Sequence, residues 1–104
     1  MIVQHIEKPW GHEEWIEVNN DYVVKRLVVE EGKSTSLQYH QEKTETMYIL
    51  SGTAFLRYGN EQFTLSAGDH IHIPKGTIHQ LTGLTQIQVL ETSTPELDDV
   101  VRLS

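Results

Sequence analysis

The stretch GKSTSLQYHQEKTETMYILSG, residues 32–52, decides the fold, because it combines turn glycines with polar residues at strand spacing. Gln38 and His40 are two positions apart, so on an extended strand their side chains leave from the same face. Glu45 lies just beyond the short polar connection 41–44, where a neighbouring strand would begin. The stretch therefore predicts two adjacent strands that present an amide, an imidazole and a carboxylate at one place.

A second stretch, GDHIHIPKGTIH at residues 68–79, supplies a further imidazole. Its turn signal, Pro74-Lys75-Gly76, precedes His79, which can approach from a second sheet. One amide oxygen, two ring nitrogens and one carboxylate are ligands that borderline divalent cations accept. We therefore predict a metal site formed by Gln38, His40, Glu45 and His79.

Short apolar or alternating segments separated by turn residues make up the rest of the chain, a pattern typical of an all-β sandwich or barrel. No stretch has a sustained helical period, and residues 95–103 allow either one turn of helix or a last strand. Strands are predicted over residues 14–18, 22–29, 34–40, 46–50, 53–58, 62–65, 70–73 and 86–90.

Composition limits the class of protein. The 104 residues are expected to form one domain, residues 1–104, and the absence of cysteine excludes disulfides and thiolate metal sites. A net charge of −7 argues against nucleic acid as a partner. No apolar run is long enough to span a membrane, and the N-terminal stretch from Met1 lacks the features of a signal peptide, so a cytoplasmic location is expected.

Two motifs of the cupin superfamily have counterparts in this sequence. The first, Gly-x5-His-x-His-x3/4-Glu-x6-Gly, resembles residues 32–52, with Gln38 in place of the first histidine. The second, Gly-x5-Pro-x-Gly-x2-His-x3-Asn, resembles residues 68–83, with Gly83 in place of the asparagine. The resemblance implies a small double-stranded β-helix, the cupin or jelly-roll barrel.

The glutamine points to one branch of that superfamily. The segment Ser34–His40, STSLQYH, is similar to the Leu-Ser-Leu-Gln-x-His of the cupin domain of type II mannose-6-phosphate isomerases. Further similarities to that family are found at Lys8-Pro9-Trp10-Gly11, Val24-Lys25-Arg26, Ser51-Gly52-Thr53-Ala54 and Asp98-Asp99-Val100-Val101-Arg102. One departure is Lys43, which replaces an arginine of the family and keeps the charge without the two-pronged guanidinium.

The resemblance implies a metal-dependent isomerase of sugars or sugar phosphates that interconverts an aldose and a ketose through an ene-diolate. The expected cofactor is a divalent cation, zinc first, with manganese, iron, cobalt or nickel as alternatives. Cupin domains generally pair through their sheets, so the resemblance also implies a homodimer. Other interpretations stay open: another metallocupin enzyme acting on carbohydrate (an epimerase, a lyase or a dioxygenase), a non-catalytic carbohydrate-binding or sensing module, or a cupin that has lost its metal.

Two residues, Lys43 and His72, are candidates for proton transfer, with a metal-bound water as a third alternative. Lys43 stands at the family's arginine position, and the alternative interpretation is a solvated charge in a hairpin turn. His70 and His72 alternate with Ile71 and Ile73, so both histidines leave the same face of their strand. If that face lines the barrel, His72 can carry a proton near neutral pH; if it faces outward, both histidines are solvated.

Overall fold

The computed structural model describes residues 4–104, in which all regular secondary structure is β-strand. Residues 1–3 lie outside the described residues, and they include the start of the N-terminal stretch that was compared with a signal peptide. Within residues 4–104 no helix is long and apolar enough to cross a membrane. The strands are β1 (Gln4–Lys8), β2 (Gly11–Val18), β3 (Val23–Val29), β4 (Gln38–Tyr39), β5 (Glu45–Ser51), β6 (Thr53–Tyr58), β7 (Glu61–Ser66), β8 (His70–Ile73), β9 (His79–Gly83), β10 (Ile87–Ser93) and β11 (Val101–Arg102).

The strands form two sheets, and every pair of neighbouring strands in them is antiparallel. One sheet has six strands in the order β1-β2-β3-β10-β5-β8, and the other has five in the order β11-β4-β9-β6-β7. Burial along β3 alternates residue by residue, as expected when one face of a strand packs on a core. The all-β prediction is confirmed.

The inward face of the six-stranded sheet changes from apolar to charged along its strands. Toward one end β3, β10 and β5 contribute Val29, Ile87 and Ile49, all fully buried in the core. Four cross-strand pairs beyond Ile87 and Val29, the register places Glu91 of β10 opposite Lys25 of β3, and β5 begins with Glu45. The apolar end supplies the packed core, and the charged end faces a cavity between the sheets.

The structure shortens one predicted strand, adds β1 and β9 to the predicted set, and decides between the two alternatives for residues 95–103. The strand expected over residues 34–40 is reduced to β4, because neighbouring backbone groups bond elsewhere: the N–H of Leu37 donates to the Ser104 hydroxyl at 2.8 Å. Residues 95–103 contain no helical turn; their only strand is β11, whose residues Val101 and Arg102 pair with β4. The C-terminal segment is therefore an edge of the five-stranded sheet.

Gly52, in the turn between β5 and β6, should tolerate no side chain. Its φ is +85°, and an added Cβ would lie 2.2 Å from the carbonyl oxygen of Gln86. We expect Gly52→Ala to lower the free energy of unfolding by more than about 3 kcal/mol, the sum of left-handed strain and a backbone clash. Urea titration followed by circular dichroism measures it.

Gly59 provides the matched control, because its φ is +58° and no atom lies within 4 Å of the added Cβ. Gly59→Ala should therefore cost only the backbone strain, about 1 kcal/mol. Equal losses in the two variants would show that the close approach of residue 86 to the turn is absent.

Candidate metal centre

Three buried side chains converge where the two sheets meet. Glu45 is the first residue of β5 in the six-stranded sheet, His79 is the first residue of β9 in the five-stranded sheet, and His40 follows β4. Each is at most 3% exposed, and one ligand atom from each lies within 4.8 Å of the others. The structure thus brings together three of the four predicted metal ligands.

The hydrogen bonds of the two imidazoles leave one nitrogen of each ring for a ligand. Nδ1 of His40 donates to the carbonyl of Asp99 at 2.6 Å, and Nδ1 of His79 donates to the carbonyl of Thr77 at 2.9 Å. Each Nε2 then faces Oε1 of Glu45, at 3.3 Å from His40 and 3.2 Å from His79. Three acceptor atoms that face one another repel unless a proton or a cation lies between them.

A further observation favours a cation at this point. Oε2 of Glu45 is buried and has no hydrogen-bond partner, a state that is costly for a carboxylate oxygen. Two imidazole nitrogens and a carboxylate are a donor set that suits zinc and the other borderline divalent metals. The residues present therefore fit the divalent cation expected from the sequence.

Gln38, the fourth predicted ligand, lies beside this cluster. It pairs directly with His79 across β4 and β9, so both side chains leave the same face of the sheet, and it lines the cavity. Its amide nitrogen donates to the hydroxyl of Ser36 at 3.1 Å and to the Ser36 carbonyl at 3.3 Å. These two bonds engage the amide nitrogen, so the amide oxygen is the atom left for a ligand; its place in the metal centre remains a proposal.

Lys43 is buried and is not the solvated turn residue of the alternative interpretation. It is 6% exposed, and its Nζ lies 3.8 Å from Oε2 of Glu45. Burial alone would raise the pKa of Glu45, but the imidazoles of His40 and His79 and the charge of Lys43 together hold that pKa well below its usual range. Glu45 is therefore a carboxylate at neutral pH.

His72 does not reach the cavity. In β8 the apolar residues Ile71 and Ile73 pack toward the core, so His70 and His72 leave the opposite face and are exposed. The alternation correctly predicted that both histidines leave the same face of β8. That face points away from the core, so His72 is not part of the site. The prediction of a catalytic His72 is thus corrected by the structure.

Glu91, which no motif in the sequence singles out, lies in the cavity wall. Glu91 is 7% exposed and shares the inward face of β10 with Ile87 and Val89. Burial, reinforced by the nearby charge of Glu45, raises the pKa of Glu91 to about 8. The sequence signal for Glu91 was a carboxyl group at a position where the alternation of the strand predicts a buried apolar residue. The predicted strand ended at residue 90, one residue before it.

A second group missed in the sequence lies next to Glu91 on the inward face of the same sheet, where Lys25 is its cross-strand partner. Lys25, also 7% exposed, lies with its Nζ 3.6 Å from Oε1 of Glu13 and 4.7 Å from the ring centre of Trp15. The indole N–H of Trp15 donates to the same carboxylate at 3.0 Å, and Nζ of Lys8 lies 3.9 Å from its other oxygen. The sequence signal for this position is its spacing: Lys25 lies two residues from both Val23 and Leu27, so it shares their inward face of β3.

The cavity that these residues line has a volume of about 830 Å³ and is bounded by residues of both sheets and of the C-terminal segment. This volume lies within the range of small-molecule sites. The six-stranded sheet lines it with Glu13, Lys25, Glu45 and Glu91, the five-stranded sheet lines it with His79, and His40 and Lys43 line it from the connection between β4 and β5. The arrangement can hold a small polar ligand against a metal ion.

Comparison with known sequences identifies relatives over the whole chain. A family model described as mannose-6-phosphate isomerase C-terminal matches residues 2–104. The chain is 33% identical to a mannose-1-phosphate guanylyltransferase of Salmonella muenchen, over 96% of this chain and 23% of that protein. It is 31% identical to the xanthan biosynthesis protein XanB of Xanthomonas campestris, over 93% of this chain and 22% of that protein. The chain thus spans less than a quarter of the length of these relatives.

Solved structures of low sequence identity share the fold. KdgF from Halomonas superposes with a TM-score of 0.82 at 18% identity, covering 91% of this chain and 88% of that one. An RmlC-like cupin from Shewanella frigidimarina gives 0.82 at 14% identity, with 91% and 86% covered. A double-stranded β-helix protein from Klebsiella pneumoniae gives 0.78 at 20% identity, with 98% and 86% covered. The predicted cupin double-stranded β-helix is confirmed.

The raised pKa of Glu91 should make the metal-free protein less stable as pH increases. Because the folded protein retains this proton up to about pH 8 and the unfolded chain releases it near 4.5, stability is lost between these values. Glu91→Gln cannot lose a proton, so we expect its free energy of unfolding to exceed that of the wild type by a few kcal/mol at pH 8.5 and to differ little at pH 4.5.

Urea titrations of the chelator-treated proteins at both pH values test this expectation. A difference between variant and wild type that stays constant with pH would mean that Glu91 is ionised throughout and is stabilised by Lys25 and Lys43.

Proposed function

The chain belongs to the mannose-6-phosphate isomerase C-terminal family, a family of cupins, and on this premise we propose that it is a metal-dependent sugar or sugar-phosphate isomerase. The reaction is the interconversion of an aldose and a ketose through an ene-diolate. The observation that carries this proposal is the buried cluster of His40, Glu45 and His79, with Lys43 beside it, at the wall of a cavity large enough for a hexose.

Gln38, His40, Glu45 and His79 would hold the cation, with zinc expected first and manganese, iron, cobalt or nickel as alternatives. When bound, such a cation polarises the sugar carbonyl and acidifies the neighbouring C–H bond. The protein contributes one negative charge to this ligand set, from Glu45, so the positive charge is only partly compensated. The carbonyl bonds of both imidazoles keep the two rings in the orientation that this role needs.

The isomerisation also needs a group that takes the proton from C2 and returns it to C1. With His72 outside the cavity, Lys43 is the predicted residue that remains, and Glu91 is the candidate that the structure adds. A group transfers protons best when its pKa is near the working pH, which favours Glu91, whose pKa is about 8. Lys43 lies beside Glu45, where its ammonium group can also stabilise negative charge on the substrate oxygens.

Substrate class follows from the charges of the cavity. Lys8, Lys25 and Lys43 all line it and offset the net charge of −7 at this place. A phosphate group on the sugar would find several cations along this lining, so we propose sugar phosphates as the preferred substrates. The matching family model is named for mannose-6-phosphate isomerase, which makes mannose 6-phosphate and its ketose the first pair to test.

The cytoplasmic location and the homodimer predicted from the sequence belong to this proposal as well. The side chains of Tyr48 and Leu50 lie on the outer face of β5 and are 42% and 40% exposed. Burial of this apolar surface would favour pairing of two chains through this sheet. Light scattering decides the oligomeric state, and a monomer at micromolar concentration would contradict the prediction.

The isomerase proposal is tested with protein loaded in turn with each of the five metals. Incubation with mannose 6-phosphate or mannose in heavy water should produce the ketose with deuterium at C1 and, through the reverse reaction, the aldose with deuterium at C2. We expect Lys43→Met to lower kcat by about 100-fold or more with metal content unchanged, because a group that acts on the reacting proton or oxyanion is lost.

His72→Asn is the matched control and should leave kcat and KM unchanged, because the His72 side chain is exposed outside the cavity. Binding of the sugar without exchange would favour a non-catalytic binding module, and oxygen consumption would favour a dioxygenase. Conversion of no aldose or ketose with any of the five metals would overturn the isomerase proposal.

A further inference from the structure

The segment that carries most of the metal-centre residues is held by the C-terminal segment more than by the rest of its own sheet. Gln38, His40 and Lys43 fall within six residues, yet β4 is only two residues long and pairs with β9 at a single position. Its other neighbour is β11, where Arg102 pairs with Gln38. The N–H of Leu103 donates to the carbonyl of residue 37 at 2.7 Å, which extends this contact.

Asp99 completes the attachment with four hydrogen bonds. Its carboxylate accepts the consecutive backbone N–H groups of Gln41, Glu42 and Lys43, at 3.0, 2.7 and 2.8 Å. Its main-chain carbonyl accepts Nδ1–H of His40 at 2.6 Å. One residue of the C-terminal segment thus fixes a ring orientation at the metal centre and the backbone turn from which the Lys43 side chain extends.

We propose that Asp99 is a positioning residue of the metal centre and that metal binding and the docking of residues 98–104 onto residues 37–43 stabilise each other. Hydrogen bonds to a charged acceptor are stronger than neutral ones, so loss of the carboxylate frees the turn at three points. The main-chain carbonyl of residue 99 is then held in place less firmly, and with it the direction of the His40 Nε2 on which the cation depends. Because coupling free energies are reciprocal, a bound cation must in turn hold the C-terminal segment in place.

This inference rests on the metal site of the proposed function and is independent of the isomerase reaction. A protein that binds metal without isomerase activity would overturn the proposed reaction and leave the coupling intact. A protein that binds metal equally well with and without the Asp99 carboxylate would overturn the coupling and leave the reaction intact.

Asp69 provides a matched control. Its carboxylate accepts the backbone N–H of Ser66 at 2.8 Å in the turn between β7 and β8, and it does not line the cavity. Asp69→Ala therefore removes a carboxylate that stabilises a turn without touching the metal centre. Asp99→Asn is the conservative variant, because its amide oxygen can still accept one of the three N–H groups.

The experiment measures the affinity for Zn²⁺ by competition with a chromophoric chelator and records the visible spectrum of the Co²⁺ form. We expect Asp99→Ala to bind Zn²⁺ about 10- to 100-fold more weakly and to change the Co²⁺ spectrum, as other losses of outer-sphere partners do. Asp99→Asn should fall between this variant and the wild type, and Asp69→Ala should match the wild type. A general loss of stability would not change the spectrum of the bound ion.

Hydrogen exchange of the wild type tests the reciprocal effect without any substitution and decides the question if the Asp99 variants do not fold. Zn²⁺ should slow exchange at the amides of residues 41–43 and 103 and leave the amide of Ser66 unchanged. Affinities of Asp99→Ala and wild type within twofold, exchange at residues 41–43 and 103 that is insensitive to Zn²⁺, or a wild type that binds no metal would each overturn the inference.

Discussion

The meeting of two imidazoles on the Glu45 carboxylate is the contact on which the charged half of this barrel depends. Glu45 is 3% exposed, and burying an uncompensated carboxylate is too costly for a small domain to sustain. Lys43 supplies one counter-charge at 3.8 Å, and the two Nε2 atoms supply a place for a cation or protons. The two sheets are thus joined here by electrostatics, whereas side-chain packing joins them at the apolar end.

This division explains how a domain of 104 residues holds both a core and a cavity. The strands β3, β5 and β10 each contribute a buried aliphatic residue toward one end and a charged residue toward the other. Antiparallel register aligns these changes across the sheet, so that Glu91 lies opposite Lys25. The apolar ends of these strands therefore stabilise the fold, and their charged ends line the cavity. A substitution at the charged end need not disturb the core.

Sequence spacing was sufficient to place His40, Glu45 and His79, because strand parity and turn residues act locally. Alternation along a strand does not tell which face of the sheet covers the core, so it could not decide whether His72 lines the cavity. Glu91 lay just beyond the end assigned to its strand. Asp99 was beyond the reach of any local rule, since it acts on residues 41–43 through a contact between distant parts of the chain.

The charge of the cavity differs from the charge of the chain, and this difference bears on the substrate. Four carboxyl groups and four basic side chains line the cavity: Glu13, Glu45, Glu91, Asp98, Lys8, Lys25, Lys43 and Arg102. Glu91 retains its proton at neutral pH, so the lining side chains together carry one net positive charge before any cation binds. The proposed divalent cation would raise this to three, at a place where low dielectric strengthens each interaction. This local charge supports the proposal of an anionic sugar substrate for a protein whose net charge is −7, because the surrounding solvent screens the negative surface more strongly than the cavity wall.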